Sequence, residues 1–569
     1  MAGNYWGKFT NQRITRRRAL QGAGAAGIGA GAIWLVGCGG GGDDDPNATP
    51  KPGETPAAAV GKPIRGGRYQ VGSTADFDTF DPYIGIAASV GYFPRLYNVL
   101  VNFSALDSSF RFDDLSTGYE QPDALTYNFA IRPGVKVGPN QLGVPERDLT
   151  AEDVVESYKR IISLPQSNAF AFIGQKMDKN EATAPDAYTM TTKEPYAFFR
   201  NRIGSAINTV VAKEALADGT IEKLKQQAAG AGAFILKSYT EGQGASFDAN
   251  PNYYRKDDKN NNEQVPYIAG LDVKIITDRA TLRTAFQSKQ LDVYTAANLA
   301  EANELKSGSN YTVVRDPVNT FIAFTMNPTK DPWKDDRIRL AATHALNRQE
   351  FIDRVYDGEA KANGLVHWPQ GDAALSESEL ETLQGYDPQM SRDLIKAATG
   401  QDTVKVKIMW PADSAIEEHS LHLPIFLEQM KAAGFEVEAD AQPFGAWLDN
   451  YTNKTYDASL SLNQIYEYPE FNLDFQHSEG PARNNIYAVG VGALYPEIDE
   501  AIDDVKATTD PEEFVKAIHD VQKLIYAKGP TFLPIVSPYS FTMYQERVKN
   551  LPSGIGSSGL WVNTWWLEG

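Results

Sequence analysis

LTYNFAIRPG (residues 125–134) and LTAEDVVESYKRII (residues 149–162) set the class of the fold. In the first, Leu125, Tyr127, Phe129 and Ile131 alternate with small or polar residues, as in a strand with one buried face, and Arg132-Pro133-Gly134 turns it. In the second, Thr150 is placed to cap a helix and Asp153 to reach back from its third position. Val154, Val155, Tyr158, Ile161 and Ile162 then make one apolar stripe. A strand handing over to an amphipathic helix predicts an α/β body.

The pattern recurs along the chain without a repeat of fixed period. Leu271–Asp278 reads as a strand and Arg279–Ser288 as a helix, with Gln290-Leu291-Asp292-Val293 beyond. Asp331 to Leu346 places acids at a helix start, where the helix dipole favours them. Val404–Trp410 reads as a strand, His422–Ala433 as a helix, and Gly434–Glu438 as a return strand after a glycine stop. With 42% apolar and 22% charged residues the body has an ordinary globular composition, and roughly 500 such residues exceed one core, so two or three domains are expected.

Ahead of this body stand Lys8, Arg13, Arg16, Arg17 and Arg18 with no acid before Cys38. The formal charge of −19 therefore understates the acidity of the body itself, a surface that repels phosphate backbones and anionic lipid and argues against nucleic-acid partners. A basic start, a Gly/Ala-rich apolar stretch from Ala19 to Gly37 and then Cys38, the single cysteine, form an export signal; the stretch is too glycine-rich for a good membrane span. Thr15-Arg16-Arg17-Arg18-Ala19-Leu20 resembles a twin-arginine signal, with Ala19 where Phe is usual, and Leu35-Val36-Gly37-Cys38 resembles the bacterial lipobox. That resemblance implies a signal peptide over 1–37 and a lipid anchor on Cys38, followed by a Gly/Pro/Asp/Thr-rich tether to residue 65. A lone cysteine makes no intramolecular disulfide and no thiolate metal cluster.

Leu149-Thr-Ala-Glu-Asp-Val-Val155, Gly230-Ala-Gly232-Ala-Phe234 with Tyr239 and Asn250-Pro251-Asn-Tyr253-Tyr254, Asp278–Asp292, Asp336-Arg337-Ile338-Arg339 through Asn347-Arg348 with Gly358, and Trp561-Val562-Asn563-Thr564-Trp565 stand in that order. In this set and order the chain resembles the extracellular solute-binding proteins of ABC importers, the large family with dipeptide, oligopeptide and nickel carriers. It departs from the family's GTGPF at Gly230–Phe234 and has Tyr254 where Trp is common; both positions read as structural. The resemblance implies a periplasmic-binding-protein type II-like fold of two hinged lobes with an extra β-rich inserted domain. Lobe one would comprise 66–100, 190–318 and 535–569, the inserted domain 101–189 and lobe two 319–534, with hinge strands at Asn319–Phe324 and near Pro534–Tyr539. It also implies permease and ATPase partners, a monomeric carrier at the outer face of the cytoplasmic membrane, in the periplasm or cell envelope, no cofactor and no catalysis.

In peptide-binding members of that family an acid of lobe two, in an Asp-Tyr context, holds the ligand's amino terminus, and Glu467-Tyr468 falls at that place. By the same resemblance Tyr97, Asn98, Phe321, Phe324, Trp410, Phe444, Gln464 and Tyr466 surround the ligand. Gln464 stands where peptide binders often place Trp, and no arginine lies between Asp457 and Glu467 to hold a short peptide's carboxylate. An oligosaccharide therefore remains a second ligand class, with Trp410, Trp447, Trp561, Trp565 and Trp566 as stacking faces. A secreted hydrolase on the same fold is a third reading, but no Gly-x-Ser-x-Gly elbow, phosphate loop or cysteine nucleophile supports it. His419 and His422 share a helical face without a His-Glu-x-x-His motif, so no metal site is expected.

Overall fold

The computed structural model describes residues 62–85, 87–104, 109–111, 114–165, 167, 170–195, 203–204, 208–257, 260–307, 309–318, 320–412, 417–464, 469–480, 488–508, 510–551 and 564–568. The signal segment, Cys38 and all but the last residues of the tether lie outside the described residues. The body begins with β1 (Arg68–Ser73). Its register is fixed by Arg68, whose guanidinium donates to Asp272 at 2.8 and 2.9 Å and to Asp248 at 2.7 Å. Those bonds hold the Asp272 carboxyl well below the usual range.

Strands β2 (Ser116–Glu120), β3 (Thr126–Ile131), β4 (Met177–Ala184) and β5 (Ala187–Thr192) form a separate antiparallel sheet in the order β2-β3-β5-β4. Tyr127, Phe129 and Ile131 are its buried face. Helix α1 (Ala151–Ile162) packs on this sheet with Val154, Tyr158 and Ile161 inward, and the Thr150–Asp153 capping box forms. Ile162 leaves the expected stripe and is 41% exposed, because it lies about 100° round the helix from Ile161.

A second sheet of order β1-β8-β7-β6 is made with β6 (Phe234–Thr240), β7 (Gly244–Ala249) and β8 (Gly270–Ile275). The glycines before β6 are there for backbone contact: a Cβ on Gly230 would sit 1.9 Å from the Leu96 carbonyl oxygen, and one on Gly232 2.4 Å from that of Arg95. Gly230→Ala is expected to cost about 1–3 kcal/mol by overpacking, read as a lower urea midpoint, whereas Gly445→Ala, with open space around it, is neutral or better.

The largest sheet joins both halves. It contains β9 (Val293–Ala296), β10 (Thr312–Pro317), β11 (Thr320–Met326), β12 (Ala360–Ala362), β13 (Val404–Pro411), β14 (Phe435–Gln442), β15 (Ala458–Gln464) and β16 (Phe532–Tyr544), in the order β9-β16-β11-β15-β13-β14, with β10 and β12 also paired to β16. The long β16 is shared: residues 532–538 pair with β11 and β12, and residues 539–544 with β10 and β9. Among the described residues the chain passes between the halves after Val318 and again at Pro538–Tyr539, as two adjacent antiparallel strands.

Helices α2 (Asp336–His344), α3 (Arg348–Tyr356) and α4 (Glu417–Ala432) belong to the second half, and Asp335 and Asn347 cap the first two. Ile322, Phe324 and Met326 face the main core together with Trp333, Ile338, Phe351 and Phe426. Phe321 and Ala323 face the opposite side, with Phe475 and Phe532. On the other half Tyr539, Phe541 and Met543 pack with Leu282, Phe286 and Tyr294.

Candidate functional site

Because β13 runs parallel to both β14 and β15, the carboxyl ends Pro411, Gln442 and Gln464 share one edge of the sheet. Such an edge is where the loops of an α/β sheet gather chemistry. β11 is antiparallel to β15 with Thr320 opposite Gln464, so the chain arrives from the other half at this same edge. The register therefore puts Phe321 and Gln464 beside the first crossing, whereas Trp410 lies two strands away and level with Phe324, and Phe444 follows the end of β14.

Their side chains differ in role. Trp410 is 7% exposed and belongs to the main core. Helix α5 (Phe444–Thr452) begins with half-buried Phe444, 5.7 Å from Trp447, which stacks on Tyr451 at 5.2 Å and donates its indole N–H to Ser459 Oγ at 3.0 Å. Phe444, Trp447 and Tyr451 thus form a row of rings along α5. Phe324 sits within the core, its ring 5.0 Å from Phe426 and 5.7 Å from Trp333. Tyr97 and Asn98 are buried, Tyr97 donating to the Phe80 carbonyl at 2.7 Å and Asn98 Nδ2 to Asp114 at 2.6 Å.

Tyr466 and Glu467, with the Gln464 side chain, lie outside the described residues, but the segments flanking them are placed. Gln464 pairs with Thr320 at the crossing. After the gap, α6 (Pro469–Asn472) returns with Glu470 and Asn472 buried, Asn472 donating to Gln370 Oε1 at 3.1 Å, and Phe475 stacks on Phe532 at 4.0 Å.

His367 and Trp368 carry no sequence signal of a site, although Gly364-Leu-Val-His-Trp-Pro369 is a non-periodic run rich in ring and turn residues. His367 is fully buried, its ring 4.2 Å from Phe321. Burial pushes the imidazole down to about 3, only partly offset by Asn472. The folded state thus resists a proton that the unfolded chain accepts near pH 6.5, so this contribution to stability is intact above that pH and fades as pH falls toward 3. The loss by pH 4 is about 3 kcal/mol at most. A His367→Gln variant is expected to show a shallower fall of urea stability between about pH 6.5 and about pH 4 than the parent.

Trp447, Trp565 and Trp566 are buried like Trp410, so these tryptophans pack against protein, and Trp561 lies outside the described residues. His422 is buried against Phe351 and Tyr356, and the His419 side chain is outside the described residues. Among the described residues no group of three or more His, Cys, Asp or Glu is placed to hold a metal ion.

Residues 113–482 match the model of the bacterial extracellular solute-binding proteins, family 5 Middle. The chain is 24% identical over 507 residues to the probable D,D-dipeptide-binding periplasmic protein DdpA of Escherichia coli, covering 84% of this chain and 90% of that protein. The fold is similar to that of the periplasmic binding protein DppA from Helicobacter pylori in complex with the peptide STSA, with a TM-score of 0.72, 18% identity, and coverage of 89% and 99%. It is similar also to MoaA from A. tumefaciens R10 in complex with mannopinic acid, at TM-score 0.71, 19% identity, and coverage of 89% and 100%.

Proposed function

The chain belongs to the bacterial extracellular solute-binding proteins of family 5, and from that premise we propose that it captures di- or oligopeptides between its two lobes and delivers them unchanged to a membrane permease. It is a binding protein of an ABC import system and not an enzyme. No helix among the described residues is long and apolar enough to cross a membrane. Attachment to the membrane is assigned to lipid on Cys38, with residues 39–65 as the leash, and the carrier is taken to act as a monomer. Lobe one is assigned to 66–100, 190–318 and 535–569, lobe two to 319–534, and the inserted domain to 101–189.

The observation that supports the reading is the edge where β13, β14 and β15 end: it meets the strand crossing, where Thr320 pairs with Gln464. A solute held there touches both lobes, and contact with both is the differential affinity that drives closure. Glu467 is assigned the ligand's amino terminus, a charge-assisted bond that gains strength when closure excludes water. Phe444 offers an apolar wall. The burial of Trp410, Trp447, Trp565 and Trp566 removes four of the stacking faces an oligosaccharide reading relied on.

Thermal shift against three panels tests the assignment: di- to nonapeptides, opine-type sugar–amino acid conjugates, and short oligosaccharides. Peptides at about a hundred times their dissociation constant are expected to stabilise by about 2.7 kcal/mol, the other panels not at all. Stabilisation by oligosaccharides or opines alone would reassign the ligand. Loss of intact ligand mass after incubation would replace carrier by hydrolase.

A further inference from the structure

The two crossing strands carry an ion pair that ties the lobes together across them. β10 and β11 follow one another along one edge of β16, while β12 and β9 lie along the other. Arg315, on β10 opposite Phe541, lays its guanidinium 3.3 Å from the centroid of the Tyr539 ring and donates from Nε to Glu359 at 2.6 Å. Glu359 lies on the far edge, in the turn between α3 and β12, and its carbonyl accepts the Tyr539 N–H at 2.9 Å. Arg315, Tyr539 and Glu359 thus strap the ribbon at the return crossing. The Tyr539 ring also meets Trp368 at 5.4 Å, and Lys361 lies 5.1 Å from the Trp368 ring. With side chains only 13% and 20% exposed, Arg315 and Glu359 are weakly screened by solvent and salt.

We infer that Arg315 and Glu359 are positioning residues for solute capture, because their strap fixes the angle at which the lobes meet and so sets the free energy of closure. Swinging one lobe against the other changes the twist of the ribbon at 318–320 and 538–539. Arg315 and Glu359 stand on opposite edges of that ribbon, so a change of twist alters their separation. A short ion pair stacked on an aromatic face resists such a change, and any group whose bonds differ between two lobe angles shifts their populations. The affinity part of this inference rests on the solute-capture reading; the lobe-angle part does not.

The test uses the purified protein with Arg315→Met, Glu359→Gln, the double variant and Arg315→Lys. Small-angle scattering of ligand-free protein is expected to give a changed distance distribution for Arg315→Met and for the isosteric Glu359→Gln, and a parental one for Arg315→Lys, which keeps the cation. Affinity for a peptide that stabilises the parent is expected to change about 5- to 50-fold, in the same direction in both single variants and by no more in the double variant. Scattering curves that superimpose on the parent's overturn the inference, as does unchanged affinity in a variant whose scattering has changed. If no solute binds the parent, the capture reading fails, and the scattering result still decides whether the strap holds the lobe angle.

Discussion

Asp153→Ala is expected to destabilise the protein by about 3–5 kcal/mol, the range for removing one partner from a buried charge pair. The Asp153 carboxylate is wholly buried and both its oxygens are used. Oδ1 accepts from Arg147 Nη2 at 2.7 Å and from the Lys213 N–H at 2.9 Å; Oδ2 accepts from Arg147 Nη1 at 2.8 Å and from the Thr150 N–H at 2.7 Å. Burial alone raises this carboxyl's pKa, but the bonds from Arg147, Lys213 and Thr150 outweigh it and bring the group below its ordinary range. Truncation removes the cap of α1 and leaves two backbone donors and half of the Arg147 fork without their acceptor. Glu152→Ala, one residue away on an exposed side chain, is expected to change stability by about 0.5 kcal/mol or less. Urea unfolding followed by tryptophan fluorescence separates the two. Since the folded pKa of Asp153 lies below the unfolded one, the deficit of the Ala variant is present above the carboxylate range and shrinks as pH falls through it.

Glu467→Gln is expected to weaken binding of peptides with a free amino terminus by about 100-fold, the loss that results when a desolvated ammonium faces an amide in place of a carboxylate. Fold stability is unaffected, because the assignment gives Glu467 a ligand partner and no structural one. A thermodynamic cycle with amino-acetylated peptide isolates the contact: acetylation costs the parent roughly what the substitution costs, and costs the variant little more. Equal losses for free and acetylated peptides would show that Glu467 does not read the amino terminus.

Local motifs carried much of the architecture. The Thr150–Asp153 box, the strands at 126–131, 270–275 and 404–411, and the helix after Asp278 arise from period and capping chemistry, which depend on neighbours in the chain. The need for glycine at 230 and 232 was not legible, because the Leu96 and Arg95 carbonyls that crowd them come from a distant part of the chain. Of the candidate site, the meeting of Phe321 and Gln464 beside the crossing comes from strand pairing and not from a local motif. Phe321 and Phe324 are three apart, so in a strand they point to opposite faces, and only Phe321 meets His367 beside the crossing while Phe324 enters the main core. Tyr97 and Asn98 are committed to bonds with Phe80 and Asp114. His367 is invisible to local patterns because its distinguishing neighbour, Phe321, is brought to it by strand pairing between segments far apart in the chain.

The central claim is a body of two lobes that closes on a solute and releases it unaltered. Small-angle scattering with and without a stabilising peptide, on a sample whose peptide is afterwards recovered and weighed by mass spectrometry, tests it most directly. The radius of gyration is expected to fall with peptide bound, and the recovered mass to equal the one added. An unchanged radius at saturation, or a peptide returned in fragments, contradicts it.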